Sequence, residues 1–418
     1  MRLFFSAGEP SGDLHGSNLI RAIQSIQPSL QAIGFGGDRM AEASVQILEP
    51  MAHLSFMWLR AYRHYYRFKR LVDQASSIFQ RKQVDGVVVI DYPGFNWHIA
   101  RRAHECGIPV FYFVPPQLWA WGGWRIRKMR RYVDHVLCTM PFEFEWYSRR
   151  GMRTHYIGHP YFDAIHTHVV DHSFLNAQNK LPGRVVALLP GSRHVEVEYN
   201  LQPMLRAAKL IHQTHPDTRF LMAAVNREFK QLLEQQCSST KLPLEIHMDR
   251  THEILRLATV CIAVSGSVGL ELLYHGVPSA ISYHVHPVGW LSTVALKKVR
   301  WISLVNLLAN RTVLPEFMSF RCQSGQIAAQ LNDWLSSPKK AAAVREQLFS
   351  MAQEHAVPGA CIRAAEYIVR NMPGHIHHLA HQRVSVERYR HFIQPTRDVT
   401  HADSALESGS TSLAKEPA

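Results

Sequence analysis

Short apolar, β-branched runs recur along this chain, each ending in a turn rich in Gly, Pro or Ser and each followed by residues at helical spacing. The clearest is Gly86–Ile90 (GVVVI), which reads as a strand buried on both faces of a parallel sheet. Arg2–Ala7, Gln31–Phe35, Pro109–Val114 and Val136–Thr139 repeat the pattern. Helices are predicted over about Leu14–Ile26, Trp124–Arg131 and Phe142–Arg150. Strands alternating with helices predict an α/β domain with a doubly wound parallel sheet. A polar stretch, Ala164–Gly183, reads as a linker, after which the design restarts. Strands are expected at Arg184–Leu189, Phe220–Val225, Leu244–His247, Val260–Val264 and Ser279–Tyr283, with helices at Leu201–Thr214, Phe229–Gln235 and Ile254–Ala258. Helical patterns follow at Ile327–Leu335, Ala341–Gln353 and Ala360–Val369. The expected organisation is a first α/β domain over 1–170, a second over 184–350, a C-terminal helix over 351–371, and a His-rich, mostly disordered tail over 372–418.

Composition narrows the class. The chain has 418 residues, 46% of them hydrophobic and 19% charged, enough for two full cores. No apolar run reaches the ~18 residues that a membrane span needs, and Met1-Arg2 leads directly into a first strand rather than a signal peptide. The cysteines Cys106, Cys138, Cys237, Cys261, Cys322 and Cys361 are scattered, which argues against a disulfide framework or a zinc site and fits a reducing cytoplasm. The formal charge of +13 calls for an anionic partner. The histidines of HIHHLAHQ lack cysteine or carboxylate at ligand spacing and read as a solvated segment rather than a metal site.

Candidate chemistry lies at the strand ends, where open parallel sheets bind ligands. Asp91 ends the GVVVI strand and is followed by the turn Tyr92-Pro93-Gly94. A carboxylate in that place also serves as a cap for the next helix. The turn Gly8–Asp13, containing Glu9, Ser11 and Gly12, opens the first helix. In the second half, Gly191-Ser192-Arg193 places a guanidinium at a strand mouth, and Ser265, Gly266 and Ser267 begin a helix that carries Glu271. Leu54–Val72, read as a helix, sets Arg60, Arg63, Arg67 and Arg70 on one stripe and Trp58, Tyr62, Tyr65, Tyr66 and Val72 on another. That is either an ordinary amphipathic helix on the sheet or a helix lying on anionic lipid. Two facing domains with these groups suit a nucleotide-sugar transferase: cations and N–H groups for a diphosphate, a carboxylate for ribose, and a base for an acceptor hydroxyl.

The motifs Ala7–Asp13 (AGEPSGD), Ile90–Asn96 (IDYPGFN), Val114–Trp121 (VPPQLWAW), Ile157–Pro160 (IGHP), Leu188–Glu198 (LLPGSRHVEVE), Ser265–Glu271 (SGSVGLE) and Ser303–Arg311 (SLVNLLANR) occur in the order found in one family. From Leu3 to about Val369 the chain resembles the lipid-A-disaccharide synthases. The resemblance implies a GT-B fold of two Rossmann-like domains facing across a cleft. It implies an inverting hexosyltransferase that needs no metal or other cofactor and works in the cytoplasm, peripherally on the bacterial inner membrane. The implied reaction joins UDP-2,3-diacylglucosamine to 2,3-diacylglucosamine 1-phosphate, giving the β-1,6-linked lipid A disaccharide 1-phosphate and UDP. By motif, Asp91 would be the general base, Glu9 would lie near the acceptor, and Arg193 would face the leaving diphosphate. Glu271 would accept ribose hydroxyls, with Ser265, Gly266, Ser267, Gly191, Ser192, Ser11, Gly12 and Asn306 lining the substrates. Two positions depart from the family: Gly94 stands where IDAPDFN has Asp, and Pro10 where the first turn has Ala. Partners on this reading are the two acylated glucosamines and an anionic membrane surface, without nucleic acid, and a homodimer is left open. The alternatives are another GT-B UDP-sugar transferase or epimerase, or a basic nucleic-acid-binding protein.

Overall fold

The structure, a computed structural model, describes residues 1–51, 61–287, 290 and 297–373, with the backbone alone for residues 61–65. Its framework is two parallel sheets. The first contains β1 (Arg2–Ala7), β2 (Gln31–Gly36), β3 (Val45–Pro50), β4 (Gly86–Ile90), β5 (Val110–Phe113), β6 (His135–Cys138) and β7 (Thr154–Tyr156), in the order β3-β2-β1-β4-β5-β6-β7. The second contains β8 (Arg184–Leu189), β9 (Thr218–Ala224), β10 (Leu244–Met248), β11 (Ala258–Val264), β12 (Ser279–His284) and β13 (Glu316–Ser319), in the order β10-β9-β8-β11-β12-β13. Strand order reverses direction between β1 and β4 in one sheet and between β8 and β11 in the other. Those two switch points are where crevices open at the carboxyl ends of strands. Glu9 and Asp91 follow the strands at the first, and Arg193 and Ser265 follow the strands at the second.

The sequence accounts for the central strands directly. All of β4 is buried, and its Val and Ile side chains pack on helices from both faces of the sheet. The helix Ala360–Arg370 crosses back to the first sheet, where Cys361, Ala364, Ala365, Ile368 and Val369 share a core with Leu3, Phe5, Leu19 and Ile23. Asp163 fixes its start by accepting N–H bonds from Gly359 (2.6 Å), Ala360 (3.1 Å) and Cys361 (2.8 Å). Met372 is buried too, against Gly86 of β4, so the ordered core runs past the start expected for the tail. From residue 374 onward the tail lies outside the described residues. Among the described residues no helix is long and apolar enough to cross a membrane.

Several boundaries differ from expectation. The first helix spans Pro10–Ile26, because Pro is well suited to the first helical position and Gly-Ser neighbours do not delay the start. Ala164–Gly183 is not a plain linker: it holds the end of the helix Pro160–His166 and the helix His172–Asn179, capped by Asp171 accepting from Phe174 N–H at 3.0 Å. The strands β3, β7 and β13 are all at sheet edges, where half-exposed, mixed sequences such as THY carry no buried-strand signal.

Of the expected Leu54–Val72 helix, the structure gives a helix over Ala61–Gln80. Trp58 and Arg60 lie outside the described residues, as do the side chains of Tyr62, Arg63 and Tyr65. Leu71, Ala75 and Phe79 form its fully buried face, with Phe68 and Val72 packed beside them. Val72 therefore belongs to the core and not to an exposed aromatic stripe. Arg67 and Arg70 are not a bare row of charge either. Both reach Glu49 of β3, Arg67 Nε donating at 3.0 Å and Arg70 Nη2 lying 3.7 Å away, while Tyr66 is 79% exposed.

Candidate active site

Asp91 leaves β4 beside the end of β1 on one side and β5 on the other, since Ile90 is in register with both Ala7 and Phe113. Asp91 and Tyr92 both take left-handed backbone conformations, with φ of 45° and 44°. The Tyr92 ring lies over Gly8, where an added Cβ would fall 2.1 Å from a ring carbon, so only glycine fits there. The Asp91 carboxyl is pushed up to about 6, first by burial and then by the nearby Glu9 charge; the Tyr92 N–H and the Arg193 charge oppose the rise. A carboxyl so poised can hold and release a proton near neutrality.

Glu9 flanks the helix Pro10–Ile26 in extended conformation without capping it. Its carboxylate instead accepts from Arg193 Nη2 at 3.2 Å, across the gap between the two sheets. Arg193 flanks the helix His194–Thr214 in the same way, and its Nη1 donates to Glu196 at 3.2 Å. Asp91, Glu9 and Arg193, expected from three separate turns, are thus brought together.

The glycine turn before Arg193 works differently from expectation. Gly191 has φ of 113°, and a Cβ there would stand 2.6 Å from Glu196 Cβ, so this glycine makes room for the Glu196 side chain. That carboxylate accepts the N–H groups of Ser192 (2.9 Å) and Arg193 (3.2 Å). The backbone donors expected to hold substrate here are already taken. Ser11 and Gly12 fall inside the first helix rather than in a turn; Ser11 is exposed, and Gly12 is buried against Ala7 and Ile90.

On the second switch point, Ser265 spends its hydroxyl on the Ile302 carbonyl (2.8 Å) and so fixes the neighbouring loop. Gly266 and Ser267 are exposed at the start of the helix Val268–His275, and no side chain caps it. Glu271, 5% exposed, accepts from the Tyr161 hydroxyl through Oε1. Its Oε2 has no hydrogen-bond partner, with His252 Nδ1 3.8 Å away. Burial pushes its carboxyl up to about 7, and the Tyr161 bond opposes this. Asn306 departs from the sequence expectation: it is completely buried, donates to Leu314 O (2.7 Å) and Glu316 (2.8 Å), and accepts from Val313 N (2.8 Å) and Leu314 N (2.9 Å). With its amide saturated, it ties the helix Leu304–Ala309 to the segment 313–316 and has nothing left to offer a ligand.

Sequence reasoning passed over Glu196, Tyr161, Asn96 and Tyr112. Asn96 stood within the quoted IDYPGFN motif, and Glu196 three residues after Arg193 at capping-box spacing, so both had a local signal. Tyr161 and Tyr112 did not, because their contacts are with residues far along the chain.

The comparisons with known proteins follow the same lines. A family model described as lipid-A-disaccharide synthetase matches residues 3–368. The lipid-A-disaccharide synthase of Trichlorobacter lovleyi is 31% identical over 370 residues, covering 88% of this chain and 97% of that protein. That of Coxiella burnetii is 34% identical over 315 residues, covering 75% and 83%. Among solved structures, a UDP-GlcNAc 2-epimerase from Neisseria meningitidis bound to UDP-GlcNAc superposes with a TM-score of 0.59 at 9% identity, over 89% of this chain and all of that one (100%). Acinetobacter baumannii MurG superposes with a TM-score of 0.52 at 11% identity, over 88% and 98%. The likeness to these two is one of fold, the GT-B arrangement of two parallel-sheet α/β domains. With the family model spanning residues 3–368 of the 418, the protein belongs to the lipid-A-disaccharide synthases, glycosyltransferases of lipid A biosynthesis.

Proposed function

We propose that the cleft between the two switch points moves a 2,3-diacylglucosamine unit from UDP to the 6-hydroxyl of 2,3-diacylglucosamine 1-phosphate. The observation that carries this reading is the meeting of Asp91, Glu9 and Arg193, a raised carboxyl beside a guanidinium contributed by the other sheet. Asp91 takes the proton of the acceptor hydroxyl as its oxygen attacks the anomeric carbon. The bond from that carbon to the diphosphate breaks, UDP leaves with the electron pair, and one displacement inverts the centre. Arg193 balances the charge that develops on the leaving diphosphate. Glu271, with one oxygen unpaired, is suited to accept ribose hydroxyls. A UDP-sugar in the related fold of the Neisseria epimerase supports the donor side.

The pH dependence tests the base. Only ionised Asp91 can accept a proton, so the rate should fall as pH drops through the folded value of about 6. We expect kcat/KM for acceptor, measured at saturating donor so that Glu271 is already engaged, to rise tenfold per pH unit below 6 and to level off above 7. A profile flat from pH 5 to 8 would remove Asp91 from the role.

Both substrates carry acyl chains, so we also propose that the enzyme works on an anionic lipid surface. The loop after β5 supports this. Trp121 and Trp124 are 42% and 59% exposed, the Arg125 guanidinium lies over the Trp121 ring at 4.5 Å, and Arg127, Lys128 and Arg131 are exposed on the helix Ile126–Tyr132 that follows. Beneath them Met129 is buried and Ile126 is packed on the core. Aromatic rings beside cations, next to the strand end that carries Asp91, suit the headgroup region. Changing Arg127, Lys128 and Arg131 together to Gln should weaken binding to vesicles containing phosphatidylglycerol by about two orders of magnitude, at ~1 kcal/mol per charge. Turnover of detergent-dispersed substrate should stay near wild type. Vesicle binding unchanged in both low and high salt would place the lipid-facing surface elsewhere.

A further inference from the structure

Two successive non-glycine residues in the left-handed region cost on the order of 1–2 kcal/mol each, so Asp91 and Tyr92 hold that shape only because something imposes it. Two side chains converge on the Asp91 carbonyl oxygen. Asn96 Nδ2 donates to it at 2.7 Å and the Tyr112 hydroxyl at 2.9 Å. Both residues are fully buried. Asn96, one turn into the helix Pro93–Glu105, shares its other Nδ2 hydrogen between the carbonyls of Ile90 (3.0 Å) and Ser6 (3.3 Å), and its Oδ1 accepts from the Ser6 hydroxyl at 2.7 Å. Tyr112 lies on β5 with Trp97 against its ring. The carbonyl is therefore tied to β1, β4 and β5 at once.

We propose that Asn96 and Tyr112 are positioning residues for Asp91, pinning its peptide plane so that the carboxylate is aimed into the cleft. The inference rests on the reading of Asp91 as base. The physical link is short. Fixing the carbonyl oxygen restrains ψ of Asp91, and its N–H, donated to Phe113 O at 3.2 Å, restrains φ, so the Cα–Cβ direction is set. Without the two donors the backbone relaxes toward the right-handed region, and the carboxylate swings away from the point where the acceptor hydroxyl must lie. Misplacement of about 1 Å at such a group costs up to ~10²-fold in rate.

The test is a pair of double-mutant cycles in the full chain: Tyr112→Phe and Asn96→Ala, each made alone and in combination with Asp91→Ala. Tyr112→Phe removes one donor and keeps the ring packing, so it remains informative should Asn96→Ala fold poorly. We expect kcat to fall roughly tenfold for Tyr112→Phe and up to ~10²-fold for Asn96→Ala, with KM for the UDP-sugar within twofold of wild type. In the Asp91→Ala background neither change should cost anything further, because the group they aim is gone. If Tyr112→Phe keeps the wild-type kcat, or if the full loss recurs without Asp91, the positioning role is overturned while the base reading stands. If Asp91→Ala itself retains the wild-type rate, the base reading fails, and the positioning role falls with it.

Discussion

Asp91→Ala is expected to lower kcat by ~10²–10⁴, the usual worth of a general base, and to leave UDP affinity within a factor of about two of wild type. The separation follows from where the residue sits. Asp91 lies at the switch point of the first sheet, whereas Glu271, proposed above for the ribose, lies on the helix that follows β11 at that of the second. The acid limb near pH 6 should vanish together with the activity, since the carboxyl responsible for it is gone. Stopped-assay rates and calorimetric titration with UDP check the two halves independently. Loss of UDP binding in parallel with rate would make Asp91 a structural residue.

Glu271→Ala should have the largest effect on the donor side. A buried carboxylate with one oxygen held by Tyr161 and the other unpaired offers a ligand hydroxyl a charge-assisted bond. Losing it should weaken UDP binding by on the order of 1.5–3 kcal/mol, or roughly 10- to 150-fold. Glu271→Gln keeps the shape and an acceptor for Tyr161, so its loss should be smaller. Equal UDP affinity in wild type and Glu271→Ala would take this residue out of the nucleotide site.

The parts of this fold that were legible in sequence are those in which burial speaks locally. GVVVI announces a central strand, and the carboxylate that ends it announces a strand mouth. The restart at Arg184 announces a second sheet. What the sequence could not show is which turns face each other. The Glu9–Arg193 bond joins residues 184 positions apart, and nothing in either turn encodes the other. The errors have physical causes as well. Gly191 and Ser192 resembled an anion-binding turn, but Glu196 at capping-box spacing claims the same N–H groups, so a protein carboxylate occupies the place given to a ligand. Asn306 matches the family by motif position, but its burial and four bonds make it a brace. Arg67 and Arg70 looked like a charged stripe because a helical wheel shows one helix only, and Glu49 lies on a strand beside it. Pro10 read as part of a turn because Gly and Ser surround it, although proline is at home in a first helical turn.

The transfer itself is tested by incubating the purified chain with UDP-2,3-diacylglucosamine and 2,3-diacylglucosamine 1-phosphate, following UDP release, and determining the product's mass and anomeric configuration. One UDP is expected for each β-1,6-linked tetraacyl disaccharide 1-phosphate formed, and no UDP release when the acceptor is omitted. The fold is shared with UDP-GlcNAc 2-epimerases, so the contradicting result is equally definite: UDP released without a disaccharide, or a donor epimerised at C2 with the acceptor left unchanged.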